Sequence, residues 1–203
     1  LGSSAEVTGA KPFQDVFRQA RIAHFPGFVF IAEPMRVIAL ECLRAAKASG
    51  AQISLDVSDP SVARAIPDEL RAMLEEHFID ILFMNDEEAH LVTGYGDPGN
   101  LFAQMGLYKW MQRGITVVKM GAKGSGICSR EGVVRIPAVQ TNVVDTTGAG
   151  DACAAGFLYG LLHDWNLERS GRFASSVASL VISQTGATLH TLERLHHMRD
   201  SFS

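Results

Sequence analysis

The chain has 203 residues, 47% hydrophobic and 20% charged, with 18 basic against 22 acidic side chains and a formal charge of -4. This composition suits a globular chain that buries a sizeable core, and it excludes disordered, collagen-like and fibrous classes. The charges are dispersed, so they leave no electrostatic footprint for a nucleic-acid partner. The longest nearly apolar stretch, residues 27–32, falls far short of the ~20 residues that span a bilayer, which predicts a soluble protein with no membrane partner. Cys42, Cys128 and Cys153 are widely spaced and include no Cys-x-x-Cys pair. They fit buried thiols in the reducing cytoplasm better than disulfides or a zinc site. The opening Leu1-Gly2-Ser3-Ser4 has no initiator Met, basic n-region or apolar h-region, so it reads as neither a secretory nor an obvious natural start.

Short β-branched runs alternate with longer amphipathic stretches, the pattern of strand and crossover-helix units around a mainly parallel sheet. A first strand is expected within residues 22–30, interrupted by Pro26-Gly27. A helix starts at Pro34, repeats Val37, Leu40, Leu43 and Ala46 at helical spacing, and ends at Gly50. Strand 52–57, a break at Asp59-Pro60, helix 68–77 and a buried strand 79–84 follow. A short helix over 87–93 is closed by Gly94, residues 95–99 form a loop, and a longer helix over 100–113 is closed by Gly114. Strand 115–120 leads into the glycine-rich residues 121–126, and segments 127–128 and 133–136 flank Glu131-Gly132 as a β-hairpin. From Gly148 onward the pattern is helical, over 149–163, 167–184 and 189–199. With no repeat or linker in view, residues 1–203 are expected to form a single α/β domain.

The block Asp145-Thr146-Thr147-Gly148-Ala149-Gly150-Asp151 opens a long helix of small residues. Two glycines around an alanine leave several helix-start N–H groups uncrowded, and a helix N-terminus offers free donors and partial positive charge to an anion. Asp151 next to such a cradle would repel phosphate unless it had a task, such as taking a proton from an attacking hydroxyl. Read alone, the block is a tight turn with a capping aspartate. It resembles, over all seven residues and into Ala155-Gly156-Phe157, the second signature of the ribokinase-like (PfkB) carbohydrate kinase family.

That resemblance implies a ribokinase-like three-layer α/β/α fold with a mainly parallel sheet, and an ATP-dependent kinase acting on a sugar or nucleoside hydroxyl. Asp151 is implied as the base, and the N–H groups of Gly148, Ala149 and Gly150 as the anion hole. Asp145 and Thr147 match positions that line a monovalent-cation (K+) site in some members. Asn85 and Glu88 match the family's Asn-x-x-Glu motif, and an amide with a carboxylate suits Mg2+ held largely through water. Alone, the same residues read as a helix cap with acidic residues in the first turn. Lys119, Gly121 and Gly124 match the strand and Gly-x-x-Gly that border the nucleotide phosphates and ribose, whereas Lys123 reads as a solvated loop residue. Ser175 stands where relatives often carry an asparagine or histidine, and with Gly186 and Ala187 it is implied to wall the adenine. Residues 54–60, ending Ser58-Asp59-Pro60, resemble the adenosine-kinase-like branch.

Neither a dinucleotide fingerprint nor a P-loop occurs in the sequence, which disfavours an oxidoreductase and a P-loop NTPase. The seven histidines lack ligand spacing and are read as surface residues. The resemblance begins inside the family pattern, so the N-terminal part with the β-lid and much of the acceptor pocket is expected to be absent and the chain alone to be poorly active. Family dimers often pair through that lid, which leaves a homodimer open. The rival reading is a catalytically silent scaffold or partner-binding relative.

Overall fold

The computed structural model describes residues 9, 11, 14–76, 78–94, 102 and 113–202. Among them, six strands form one sheet in the order β1-β2-β3-β4-β5-β6. They are β1 (Ile22–Pro26), β2 (Gln52–Asp56), β3 (Ile81–Asn85), β4 (Ile115–Lys119), β5 (Ser125–Ser129) and β6 (Gly132–Ile136). The chain divides into two compact units, Leu1–Val118 with Cys128–Gly132, and Lys119–Ile127 with Val133–Ser203. The helix expected over 100–113 and the loop over 95–99 lie outside the described residues except for Phe102 and Arg113.

In the first unit β1 runs parallel to β2, with Ile22 opposite Gln52, and β2 runs parallel to β3, with Ser54 opposite Ile81. Ile53 to Asp56 and Ile81 to Met84 are buried without alternation, as befits parallel strands covered on both faces. Helix α1 (Gln14–Gln19) precedes β1, and no sequence pattern announces it. Helix α2 (Met35–Ala48) buries Ile38, Ala39, Cys42, Leu43 and Ala46, the i, i+3, i+4 stripe that docks an amphipathic helix. Lys47 Nζ lies 2.7 and 2.8 Å from the Asp80 carboxylate, whose Oδ2 also accepts from Ile53 N at 2.7 Å. One carboxylate thereby joins the end of α2, the start of β2 and the entry to β3.

The break expected at Asp59-Pro60 is a helix start. Asp59 accepts from Ser61 N at 2.7 Å and Pro60 opens α3 (Pro60–Ala65), because a missing N–H costs nothing in the first turn. Pro67 opens α4 (Pro67–Glu75) in the same way. Helix α5 (Asp86–Thr93) ends at Gly94, as the sequence predicts. The three thiols are buried and unbridged, and burial, with a smaller push from Glu41, raises that of Cys42.

The second unit is built around α6 (Ala149–Leu162) and α7 (Leu167–Ile182). Helix α6 buries Phe157 together with Ala152, Cys153, Ala154 and Gly156, and the small residues among them bring the two backbones close. A Cβ at Gly156 would lie 2.8 Å from Ala174 Cα. Phe157 is fully buried, and removing its ring from water contributes roughly 1.5–3 kcal/mol. Helix α8 (Glu193–Ser201) rests on this pair through Leu195, Met198 and Phe202. The Phe202 ring stacks on Trp165 and meets Phe173 edge-on, and the Arg169 guanidinium lies 4.1 Å from the Trp165 ring centre. Among the described residues no helix is long and apolar enough to cross a membrane.

Candidate active site

The chain enters the glycine block tied to the end of α7: Val144 N and Asp145 N both donate to Ile182 O, at 2.8 and 3.3 Å. Asp145 then organises the turn. Its Oδ1 accepts from Thr147 N at 2.9 Å and its Oδ2 from Gly186 N at 2.9 Å. The Thr147 hydroxyl and these two N–H groups hold the Asp145 carboxyl down to about 2, so it carries its charge at neutral pH. Because its folded pKa lies below the ordinary 3.8, its stabilising effect is complete above pH ~4 and is lost as pH falls toward 2. Urea unfolding of Asp145→Asn and wild type should therefore differ in full above pH ~4 and converge as pH falls to about 2 and below.

Gly148 caps α6 with φ 79° and ψ 2°, a left-handed conformation that suits glycine. A Cβ there would also lie 2.8 Å from Cα, Cβ and O of Ala187. Ala149 N donates to Thr146 O at 3.1 Å and Ala152 N to Gly148 O at 2.9 Å. The Ala149 N–H, expected in an anion hole, is therefore already engaged. Among the described residues none accepts from the N–H of Gly148, Gly150 or Asp151, and these are the donors a helix start offers to an anion. Lys119 Nζ would stand 3.3 Å from a Cβ on Gly150, which places an ammonium against the positive end of α6. The Asp151 side chain is exposed in the first turn of that helix and accepts no hydrogen bond from a described residue.

A cavity of about 400 Å³ opens beside this turn, lined by Lys119, Gly121, Gly124, Ser175, Ile182 and the segment from Ala138 to Val143. Gly121-Ala122-Lys123 forms a single 3-10 turn closed by Lys123 N to Met120 O at 3.1 Å and Gly124 N to Gly121 O at 3.0 Å. Gly124 has φ 85°, and a Cβ there would lie 2.0 Å from Ile136 O, so only glycine lets the loop lie against the end of β6. Ser175 Oγ donates to Pro137 O at 3.2 Å and accepts from Val139 N at 3.3 Å. The hydroxyl fastens the cavity wall to α7, and its only proton is used in doing so. Lys123 is exposed.

Asn85 and Glu88 belong to the first unit. Asn85 Oδ1 accepts from Glu88 N at 2.7 Å, Glu88 Oε2 accepts from Asn85 N at 2.8 Å, and Asn85 Nδ2 donates to Glu88 Oε1 at 2.8 Å. This is a complete capping box. Glu88 is buried, and an amide with a carboxylate supplies the oxygen donors that suit a magnesium ion held largely through water. Among the described residues no group of three His, Cys, Asp or Glu side chains is placed to hold a metal directly.

Three features escape a reading of the sequence. Ser58, just past β2, has φ 76°. Its N–H donates to Asp56 Oδ1 at 2.9 Å, and its Oγ donates to Asp56 O and accepts from Gly27 N. Backbone strain of this kind costs about 1–3 kcal/mol and collects at functional positions. Its trace in sequence is the Ser58-Asp59-Pro60 run. Val139 and Val143 line the cavity, and the apolar residues after Pro137 are the available sign. Gln184 and His190 brace the turn that carries Gly186, and no local pattern marks them.

Residues 2–194 match the family described as pfkB family carbohydrate kinase. A 5-dehydro-2-deoxygluconokinase of Shouchella clausii is 29% identical over 82% of this chain and 52% of its own length. A ribokinase of Haemophilus influenzae is 30% identical over 75% of this chain and 50% of its own. The crystal structure of an adenosine kinase from Sinorhizobium meliloti superposes with a TM-score of 0.85 at 27% identity, covering 97% of this chain and 59% of that one. The chain thus spans about half the length of the curated relatives it matches, and the three-layer α/β, ribokinase-like fold class read from the sequence is borne out.

Proposed function

Because the chain belongs to the pfkB family of carbohydrate kinases, we propose that it carries the nucleotide-binding and catalytic part of an ATP-dependent kinase. The acceptor is a hydroxymethyl-type alcohol of a sugar or nucleoside, the acceptor classes named by its relatives. The observation that carries this reading is the turn at Gly148: three N–H groups without an acceptor among the described residues, an ammonium beside them, and the exposed carboxylate of Asp151. Such a set stabilises charge gathering on a transferred phosphoryl group and gives the attacking hydroxyl a base.

In this mechanism the N–H groups of Gly148, Gly150 and Asp151 hold phosphoryl oxygens, and Lys119 offsets their charge. The Asp151 carboxylate takes the hydroxyl proton as the alcohol oxygen bonds to the γ-phosphorus and the bond to ADP breaks. Asn85 and Glu88 are the residues assigned to Mg2+, which when bound neutralises phosphate charge. Asp145 and Thr147 border the proposed K+ position. The walls at Val139, Val143 and Ile182 receive the base between apolar surfaces.

A ligand that binds only the folded state stabilises it by mass action, by ~2.7 kcal/mol at a hundredfold excess over Kd, and so raises its melting temperature. MgADP or MgATP should therefore raise the midpoint of this chain by about 5–10 °C. An unchanged midpoint at millimolar nucleotide would favour the silent scaffold.

A further inference from the structure

The segment after α7 is held in an unusual way. Among the described residues, 185–190 make no backbone-to-backbone hydrogen bond. Side chains take over that task. Gln184 Nε2 donates to Thr188 O at 2.6 Å, Gln184 Oε1 accepts from His190 N at 3.4 Å, and the His190 ring nitrogen Nε2 lies 3.1 Å from Thr185 O. The partners define the orientation of the amide, because a flipped group would set oxygen against the Thr188 carbonyl. The task needs a donor and an acceptor on one side chain, which an amide supplies and a methionine of similar length does not.

This braced turn carries two residues that meet the glycine block from outside it. Gly186 N donates to Asp145 Oδ2, and Ala187 lies where a Cβ on Gly148 would be. We propose that Gln184 is a positioning residue for the phosphate cradle, its amide standing in for the backbone bonds that 185–190 lack and so setting where Gly186 and Ala187 meet Asp145 and Gly148. The proposal deepens the nucleotide reading and rests on it for the word phosphate. The contacts themselves are independent of any ligand.

The test compares Gln184→Met with wild type by amide exchange and by binding of MgADP and AMP. Loss of the two hydrogen bonds should shift the local opening equilibrium by roughly tenfold or more. The Gly186 amide should then exchange about ten times faster while Val177 and Val181 in α7 stay as protected as before. MgADP affinity should fall by about tenfold and AMP affinity by much less, because the cradle and not the base slot has moved. His190→Ala, which removes only the ring contact, should give a smaller change in the same direction and serves if Gln184→Met folds poorly. Unchanged Gly186 exchange overturns the proposal, and so does an equal loss for MgADP and AMP, which would mark Gln184 as a general structural residue. A wild-type chain that ignores MgADP would instead sink the nucleotide reading, with Gly186 exchange alone then deciding whether Gln184 positions the turn.

Discussion

Asp151→Asn should lower kcat by about 10²–10⁴ with the natural acceptor, the range a positioned general base supplies, while MgADP binds as tightly as before or more tightly. The asparagine keeps the volume and the exposed position in the first turn of α6, and no hydrogen bond to a described residue is broken. Folding should lose only the favourable charge at the helix start, about 0.3–1 kcal/mol. Nucleotide affinity is expected to hold because the N–H donors are backbone groups, and removing a carboxylate from beside phosphates relieves like-charge repulsion. Steady-state kinetics beside a calorimetric ADP titration separates these effects. If turnover survives within a few-fold, Asp151 is not the base; if ADP binding is lost along with it, the carboxylate is structural.

Gly148→Ala should damage the start of α6 through a single methyl. Left-handed backbone costs an alanine about 1–2 kcal/mol, and the new Cβ would stand 2.8 Å from three Ala187 atoms, two of them backbone. Overpacking of that kind adds about 1–3 kcal/mol. Against a total stability of about 5–15 kcal/mol the chain should still fold, with a midpoint lowered by several degrees. The strain should be relieved by moving either the helix start or the 185–190 turn, so MgADP affinity should fall tenfold or more. Gly186→Ala is the control. Gly186 has φ 88° with nothing within 4 Å of an added methyl, so it should show the backbone cost alone. Equal effects of the two substitutions would mean that contact with Ala187 does not matter to the cradle.

Much of this arrangement is legible in the chain. Apolar runs mark β2 and β3 to within two residues. Gly94 marks the end of α5, and the glycine block marks the start of α6. One misreading is equally local. Asp59-Pro60 reads as a break because both residues favour turns, yet an aspartate cap with proline in first place is also a strong helix start. The Ala149 N–H, expected in the anion hole, donates to Thr146 O. Sequence spacing does not show which of several neighbouring donors a turn consumes. Ser175, expected to wall the adenine slot, does line the cavity. Its hydroxyl proton goes to Pro137 O, a partner 38 positions away that no periodicity could indicate.

Legible in the chain alone are the α/β alternation, the glycine-flanked helix start at residues 148–151 and the carboxylate at its edge. These depend on dihedral preference, helix-end chemistry and hydrophobic period, all of which act within a few residues. Tertiary structure alone decided that Gly186 would hold Asp145 from 41 positions away, that Ala187 would leave no room for a side chain on Gly148, that the Lys119 ammonium would reach Gly150, and that Gln184 would brace the turn between them. Those contacts form only after α6 and α7 pack, because each joins chain segments whose approach is set by buried side chains and not by their own residue types.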